Sequence, residues 1–451
     1  MKSASAFLLL LTTFGAVATD ATTAAFAQTT SPATTQATTP NSAHHAVRAM
    51  PYNAELAHAL SALPPEQAVR KTLENLPQLR SGALGIDLAN SGKAKLQAGQ
   101  YEWTVRASAK RRSEQNGDKF NEQELALERP VRWFGKAGKD EAIGDKGIEL
   151  AHAAHADLWH EASRSLMKDW FDSLRESAGI RRLNEQLAVA EQLRGIAEKR
   201  VKAGDAAQLE LLMADTESKR VSILLQQAQL RDEQMRQMLE TNYPGLPQAR
   251  LEQLPVPAAL AESASFWHDK IMDDNHELEL AQAEADLLSL QAARIASDKM
   301  PDPTIGMLAS RERSGQERLI GISISIPLPG GARSAEAGSA SLKARMAAER
   351  VTQARLKVYS AAQRVVSDSK RSHAIWQTMQ QIQQQSQTQA SKMMSAYQLG
   401  EASLSEALAT RRQALDAALA AESAQIDALA ALARLQLDAH LIWAMEETVI
   451  R

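Results

Sequence analysis

Two segments of the sequence, 196 residues apart, align without a gap. The first is VKAGDAAQLELL at residues 201–212, and the second is YQLGEASLSEAL at residues 397–408. Each puts a glycine, Gly204 or Gly400, inside a long helical pattern. A glycine in a helix interior costs about 1 kcal/mol relative to alanine, so two with matching flanks predict that both helices turn back there. The chain is therefore expected to contain one structural unit twice.

The second unit carries the clearest strand pattern, LIGISISIP. Its isoleucines alternate with glycine and serine: Ile320, Ile322, Ile324 and Ile326. A period of two with isoleucine on one side predicts a strand with one face in lipid and the other in water. With PTIGMLAS upstream it predicts a hairpin over about residues 303–329. YEWTVRASAK and EQELALERPVRW predict the matching hairpin over about 101–133, for which a soluble edge hairpin is the alternative.

Both hairpins lead into long helical patterns that end at the two glycines. About 65 helical residues span about 100 Å, and a helix of that length needs neighbours because isolated helices are marginal in water. The return arms run to about Glu240 in the first unit and to Glu447 in the second. The sequence thus predicts two repeats, residues 51–262 and 263–451, each with a helical lead-in, a strand hairpin and a helical hairpin.

The first residues have the pattern of a secretory signal. Lys2 precedes a short apolar run, and small-residue motifs place cleavage after Ala18 or Ala27, so residues 1–27 are predicted to be a signal peptide. Residues 28–50, rich in Thr, Ala and Pro, are predicted to be a disordered linker. The sequence has no cysteine, so we expect neither a disulfide nor a lipid anchor. No later apolar run is long enough for a membrane-spanning helix, which leaves strands as the predicted membrane element.

Four membrane strands per chain predict an oligomer. A sheet that faces lipid has to close, because unpaired edges in hydrocarbon are too costly. The smallest spanning barrels have about eight strands. Two chains give about eight strands and three give about twelve with a channel, and the periodicity alone leaves both open.

These features together resemble the TolC family of outer-membrane efflux proteins over roughly residues 50–450. PDPTIGM before the second hairpin and the doubled glycine motif carry the resemblance. AGQYEWTVRAS and GISISIPLPGGARSAEA resemble the CzcC-like branch, which serves cation-exporting pumps. The resemblance implies a mostly α protein with membrane β structure, forming a homotrimer. Its twelve-stranded β-barrel in the outer membrane would continue into an α-helical barrel through the periplasm.

The implied function is the passive exit duct of a tripartite efflux pump, conducting heavy-metal cations. The implied partners are a periplasmic adaptor, an inner-membrane transporter of the RND type and outer-membrane lipid. Two alternatives stay open: a duct for drugs or other small molecules, and a periplasmic coiled-coil adaptor. An adaptor normally needs one helical hairpin, whereas this sequence predicts two equal ones.

Six residues of the helical hairpins are candidate functional positions. The resemblance implies that the tips contact the adaptor through Gly204, Ala207, Gly400 and Ser403, although Ala207 replaces the commoner hydroxyl residue. Glu210 and Glu406 each lie six residues after a tip glycine, where relatives place tunnel-entrance carboxylates. In a trimer they would form an acidic ring that attracts cations. The alternative is two glutamates on a solvated helix face.

Other chemistry finds little support in the sequence. The histidines of HAAHADLWH have no cysteine and no well-placed carboxylate to complete a metal site, so none is predicted. GGARSAEAGSA lacks the Lys and Ser/Thr ending of a phosphate loop, and no nucleophile elbow is present. The net charge of −3 gives no footprint for nucleic acid. We therefore expect no catalytic residue, no cofactor and no enzyme activity.

Overall fold

The structure, a computed structural model, describes residues 54–445. The predicted signal peptide, linker and last residues of the chain lie outside this range. The described residues form nine α-helices and four β-strands in this order: α1 Ala54–Leu60, α2 Glu66–Asn75, α3 Pro77–Ala98, β1 Thr104–Ser113, β2 Lys119–Pro130, α4 Lys136–Ala203, α5 Gln208–Asn242, α6 Ala264–Asp273, α7 His276–Ser297, β3 Thr304–Glu312, β4 Glu317–Ser325, α8 Gly331–Leu399 and α9 Leu404–Asp438.

The duplication is visible in the helix lengths. The two long helices α4 and α8 have 68 and 69 residues, so each spans about 100 Å. The two return helices α5 and α9 have 35 residues each. The second return helix, α9, ends at Asp438, whereas the sequence predicts that it continues to Glu447. The second lead-in is also interrupted, because α6 ends at Asp273 and α7 starts at His276.

Side-by-side packing stabilises the long helices. α4 lies against α3, α5, α7 and α9, and α8 lies against α6, α7 and α9. The main core is built from α1, α2, α4 and α9 around the aromatic residues Trp159, Trp170 and Phe171. Many of the other buried residues are alanines, which allow helices to approach closely. This shared apolar surface supplies the stability that an isolated 68-residue helix lacks.

All four strands form one antiparallel sheet in the order β1-β2-β3-β4. The two hairpins join through β2 and β3, where Leu127 pairs with Met307. The strands are about as long as the sequence predicts, but the hairpins occupy residues 104–130 and 304–325 rather than about 101–133 and 303–329. Ile326 therefore lies one residue after β4 ends. Within the described residues, β1 and β4 each pair with one strand only, so the outer edge of each carries unpaired backbone groups.

A buried ion network connects the sheet to the helices. The Lys136 ammonium, at the start of α4, lies 2.7 Å from the Asp298 carboxylate and 2.9 Å from that of Asp302. Asp302 also accepts a hydrogen bond from the Trp133 backbone N–H at 2.9 Å and one from the Tyr101 hydroxyl at 3.0 Å. The first repeat is thus tied to the second where strands and helices meet. No helix within residues 54–445 has the length and apolar character needed to cross a membrane.

Candidate functional site

The ends of the two helical hairpins are closed by left-handed glycines. Gly204 has φ +82° and Gly400 has φ +80°. In each case the glycine N–H and the following N–H bond to carbonyls of the last helical turn. An added Cβ would meet no atom within 4 Å at either glycine, so backbone conformation rather than space requires glycine here.

The return helices begin differently at the two tips. At the second tip the Ser403 hydroxyl accepts a hydrogen bond from the Glu406 backbone N–H at 3.3 Å, and Glu406 accepts one from the Ser403 backbone N–H at 2.9 Å. This is a complete capping box. At the first tip the N-cap residue is Ala207, which makes no side-chain bond. Because Ala207 has no hydroxyl, the first tip lacks the side-chain cap that Ser403 provides at the second tip.

Glu210 belongs to a network that joins the two hairpins. The Tyr397 hydroxyl donates a hydrogen bond to the Glu210 carboxylate at 3.0 Å and accepts one from the Arg200 guanidinium at 2.9 Å. Arg200 and Glu210 also form an ion pair at 3.6 Å, and the guanidinium lies 5.3 Å from the centroid of the Tyr397 ring. Burial raises the pKa of Tyr397, and the bond to Glu210 raises it further.

The two carboxylates that the sequence pairs therefore have different surroundings. Glu210 is partly buried and already balanced by Arg200, whereas Glu406 is exposed. Hydrogen bonds from the Ser403 backbone and side chain lower the pKa of Glu406, so it is charged at neutral pH. The sequence alignment treats the two residues as equivalent, but the structure gives Glu210 a bridging position and Glu406 a capping position.

The structure also shows tip residues that sequence reasoning missed. Leu209 and Leu212 are 63% and 60% exposed at the first tip, while Leu408, the counterpart of Leu212, is buried. Arg200 and Tyr397 were missed as well. A signal existed for Tyr397, because the 196-residue offset aligns it with Val201 and so marks a position where the repeats differ.

The sheet has one apolar face and one charged face. The isoleucines Ile320, Ile322 and Ile324 are 84%, 78% and 67% exposed. The strand register continues this face across the sheet through these residues: Val105, Leu125, Leu127, Ile305 and Met307. On the opposite face, charged residues pair between strands, as in Arg106–Glu128 at 3.0 Å and Arg112–Glu122 at 2.9 Å. A contiguous exposed apolar face marks a surface for lipid or for a partner.

Comparison with known proteins identifies the fold. The sequence matches no protein-family model and no curated protein. Among solved structures, VceC of Vibrio cholerae, an outer membrane protein, superposes with a TM-score of 0.68 at 16% identity, over 84% of this chain and 99% of that one. The chain has the fold of an outer-membrane channel.

Two further channels give the same result. The CmeC outer membrane channel of Campylobacter jejuni superposes with a TM-score of 0.67 at 14% identity, over 83% of this chain and 84% of that one. The open MtrE outer membrane channel of Neisseria gonorrhoeae gives 0.65 at 15% identity, over 83% and 88%. The neighbours are TolC-family channels rather than enzymes. At these identities the likeness establishes the fold.

Proposed function

We propose that the protein is the outer-membrane exit duct of a tripartite efflux pump and conducts its substrate passively from the periplasm to the exterior. The observation that carries the proposal is the amphipathic sheet joined to two helices, each about 100 Å long. The apolar face suits lipid, and the helices are long enough to continue the path well beyond a bilayer of about 30 Å.

The proposed functional form is a homotrimer. The unpaired outer edges of β1 and β4 have to find partners in a membrane, because hydrocarbon offers backbone groups no hydrogen bonds. Three copies of the four-stranded sheet supply twelve strands, a number within the range of outer-membrane barrels. Two copies reach only about eight strands, which leave little room for a channel.

We assign the tips to contact with a periplasmic adaptor, which in turn contacts an inner-membrane transporter of the RND type. Gly204, Ala207, Gly400 and Ser403 hold the shape of the tips. The exposed Leu209 and Leu212 support this assignment, because exposed apolar side chains at a protruding end favour a protein partner.

The proposed cargo is heavy-metal cations, with drugs or other small molecules as the alternative. The cation assignment rests on the resemblance of GISISIPLPGGARSAEA to cation-exporting relatives and on the two tip carboxylates, Glu210 and Glu406. Negative charge at the mouth of a path raises the local concentration of cations.

One experiment tests the duct and its cargo together. A deletion strain and its complemented control are grown with divalent metal ions and with hydrophobic drugs, and the protein is followed through membrane fractionation. A duct sediments with the outer membrane and needs detergent for extraction. Sensitivity to metals alone supports the cation assignment, and sensitivity to drugs alone keeps the duct but removes the metal assignment. A protein found only in the soluble periplasmic fraction contradicts the proposal.

A further inference from the structure

Three histidines that are far apart in the sequence lie together where α9 ends. His160 is on α4, His276 is the first residue of α7, and His440 follows α9. The ring centroids of His440 lie 4.9 Å from His160 and 4.6 Å from His276, and those of His160 and His276 are 5.9 Å apart. We call these three residues the histidine cluster. By the 196-residue offset, His440 corresponds to Pro244, so the first repeat has no counterpart of the cluster.

His440 is an unusual residue for its position. It has φ +56° and closes α9 in the left-handed conformation that Gly204 and Gly400 adopt at the tips. Both of its ring nitrogens are buried without a hydrogen-bond partner. A histidine costs more than glycine in this backbone conformation, and a buried polar atom without a partner is destabilising. Neither the backbone conformation nor hydrogen bonding therefore explains why a histidine occupies position 440.

The segment after α9, residues 439–445, lies beside the histidine cluster and bonds to Trp159 on α4 and to Arg70 on α2. We call it the closing segment. Its Trp443 is buried, has φ +52°, and accepts a hydrogen bond on its carbonyl from the Trp159 indole N–H at 2.8 Å. The Ala444 carbonyl accepts a longer bond from Arg70 at 3.4 Å. Two non-glycine residues with positive φ in one short segment indicate strain that its contacts have to hold in place.

The charges around the histidine cluster come from three elements. Asp438 accepts hydrogen bonds from Arg164 and Arg434, both at 2.9 Å, and lies 3.2 Å from the His160 ring nitrogen. Two guanidinium groups thus already balance this carboxylate before any imidazole is protonated. The other charged groups near the cluster are Asp157 and Glu161 on α4, Asp274 before α7, and Glu277 and Glu279 on α7.

This environment favours the neutral forms of His160 and His440. Burial and then the neighbouring histidines lower the pKa of His440 to about 3. Burial lowers the pKa of His160 too, and the Arg164 charge adds to this, although the bond to Asp438 opposes it. A histidine whose pKa is lower in the folded state contributes stability that is fully present above its ordinary pKa of about 6.5. That stability is lost as the pH falls below about 6.5, because the exposed imidazole then takes up a proton.

We propose that the histidine cluster is a proton-sensitive latch, which in mildly acidic solution opens and releases the closing segment from α4 and α7. Protons fit this cluster better than a metal ion does. Among residues 54–445, no group of three or more His, Cys, Asp or Glu side chains is placed to hold one. The latch is independent of the proposed export function, since it concerns the contact of the closing segment with α4 and α7 and not the conducted substrate.

Thiol labelling tests the latch, because the chain has no cysteine and an introduced one is unique. Ala439→Cys places a thiol at a fully buried position in the closing segment, and Ala407→Cys places a matched buried thiol in the first turns of α9. The full-length protein in detergent is treated with dithiodipyridine, which reacts in acidic solution. At each pH, the rate is divided by that of the unfolded protein. Ala439→Cys should label about thirtyfold faster at pH 5 than at pH 7.5, from the protonation of His440 alone.

The controls separate latch opening from general unfolding. Ala407→Cys should keep a constant relative rate over the same pH range. In the Ala439→Cys background, His440→Gly and His440→Asn both accept the left-handed backbone and cannot titrate, so each should remove the roughly thirtyfold part of the pH dependence that comes from His440. Equal acceleration at both cysteines, no acceleration at Ala439→Cys, or an acceleration that is undiminished in both His440 variants would each overturn the proposal.

Discussion

The Tyr397 hydroxyl lies 3.0 Å from the Glu210 carboxylate and bonds the second helical hairpin to the first. Arg200 completes the contact from the first hairpin. Tyr397 and Glu210 are 187 positions apart. Their counterparts in the duplicated motif, Val201 and Glu406, do not repeat the contact, because valine has no hydroxyl. A symmetric sequence motif has therefore produced an asymmetric structure, in which one tip carboxylate bridges the hairpins and the other caps a helix.

Replacing Tyr397 by phenylalanine should loosen the contact between the tips. The Tyr397→Phe variant keeps the ring beside Arg200 but loses both hydrogen bonds of the hydroxyl. Such a loss is worth about 1 kcal/mol, which corresponds to about a fivefold shift in an opening equilibrium. We expect higher mean conductance in planar bilayers. Tyr359→Phe, which changes an exposed tyrosine on α8, is the matched control. Equal conductance in wild type and Tyr397→Phe would show that this contact does not restrain the tips.

Removing the tip charges should reduce cation preference. The double variant Glu210→Gln with Glu406→Gln keeps acceptor oxygens for Tyr397 and Ser403 but removes two negative charges per chain. Because nearby negative charge concentrates cations, the reversal potential under a KCl gradient should shift toward anions. Glu262→Gln, an exposed change between α5 and α6, should leave the potential unchanged. A wild-type potential in the double variant would refute a role for these carboxylates in selectivity.

Much of the local structure can be read from the sequence, because local patterns determine it. The alternation of Ile320, Ile322 and Ile324 reports the two faces of β4, and the glycine motif reports where α4 and α8 end. The end of α9 is harder to predict, because the helical composition continues past Asp438 while His440 adopts a left-handed conformation that usually calls for glycine.

Contacts between distant residues could not be predicted in the same way. The pairing of β2 with β3 joins the two repeats, and nothing in either hairpin alone specifies it. The histidine cluster brings together residues from α4, α7 and the segment after α9, so its members look unrelated in the sequence. His160 belongs to the sequence motif HAAHADLWH, but only the fold places it beside His276 and His440.

The capping difference between the tips predicts opposite effects for two substitutions. Ser403→Ala removes the N-cap of α9 and should lower the free energy of unfolding by about 1 kcal/mol. Ala207 has φ −71° and ψ 148°, a backbone conformation that suits an N-cap. Ala207→Ser should therefore raise the free energy of unfolding by about 0.5 kcal/mol. Denaturant unfolding of the two variants measures both values. The same sign for both would contradict the assignment of caps from the geometry.

An arginine on each face of β4 tests which face contacts lipid. Ile322→Arg puts a charge on the exposed apolar face, which should cost about 2–4 kcal/mol in the bilayer midplane and reduce the amount of protein in the outer membrane. Ser325→Arg puts the same side chain on the opposite face of the strand, where water is expected, and should be tolerated. The measurement is the amount of each variant in the detergent-extracted outer-membrane fraction. Equal losses for both variants would mean that the apolar face does not meet lipid.

The buried lysine at the junction predicts a defect in stability that depends on pH. Lys136→Met leaves the carboxylates of Asp298 and Asp302 without their shared cation and should destabilise the fold by about 1–3 kcal/mol. Burial raises the pKa of both carboxyls, but hydrogen bonds outweigh this and hold each pKa below its ordinary value. Lys136 donates to both carboxylates, Arg294 also donates to Asp298, and the Trp133 backbone and Tyr101 also donate to Asp302. The resulting stability is present above about pH 4 and is lost as the pH falls further.

The variant should therefore lose less stability than wild type between pH 5 and pH 3, because part of that acid-sensitive stability is already gone. Thermal unfolding of the detergent-solubilised protein at several pH values measures the difference. Lys139→Met, a change at an exposed lysine that bonds to the Ala293 carbonyl at 3.1 Å, is the control and should follow the wild-type curve. Parallel curves for Lys136→Met and wild type would mean that the ion network does not couple the sheet to the helices energetically.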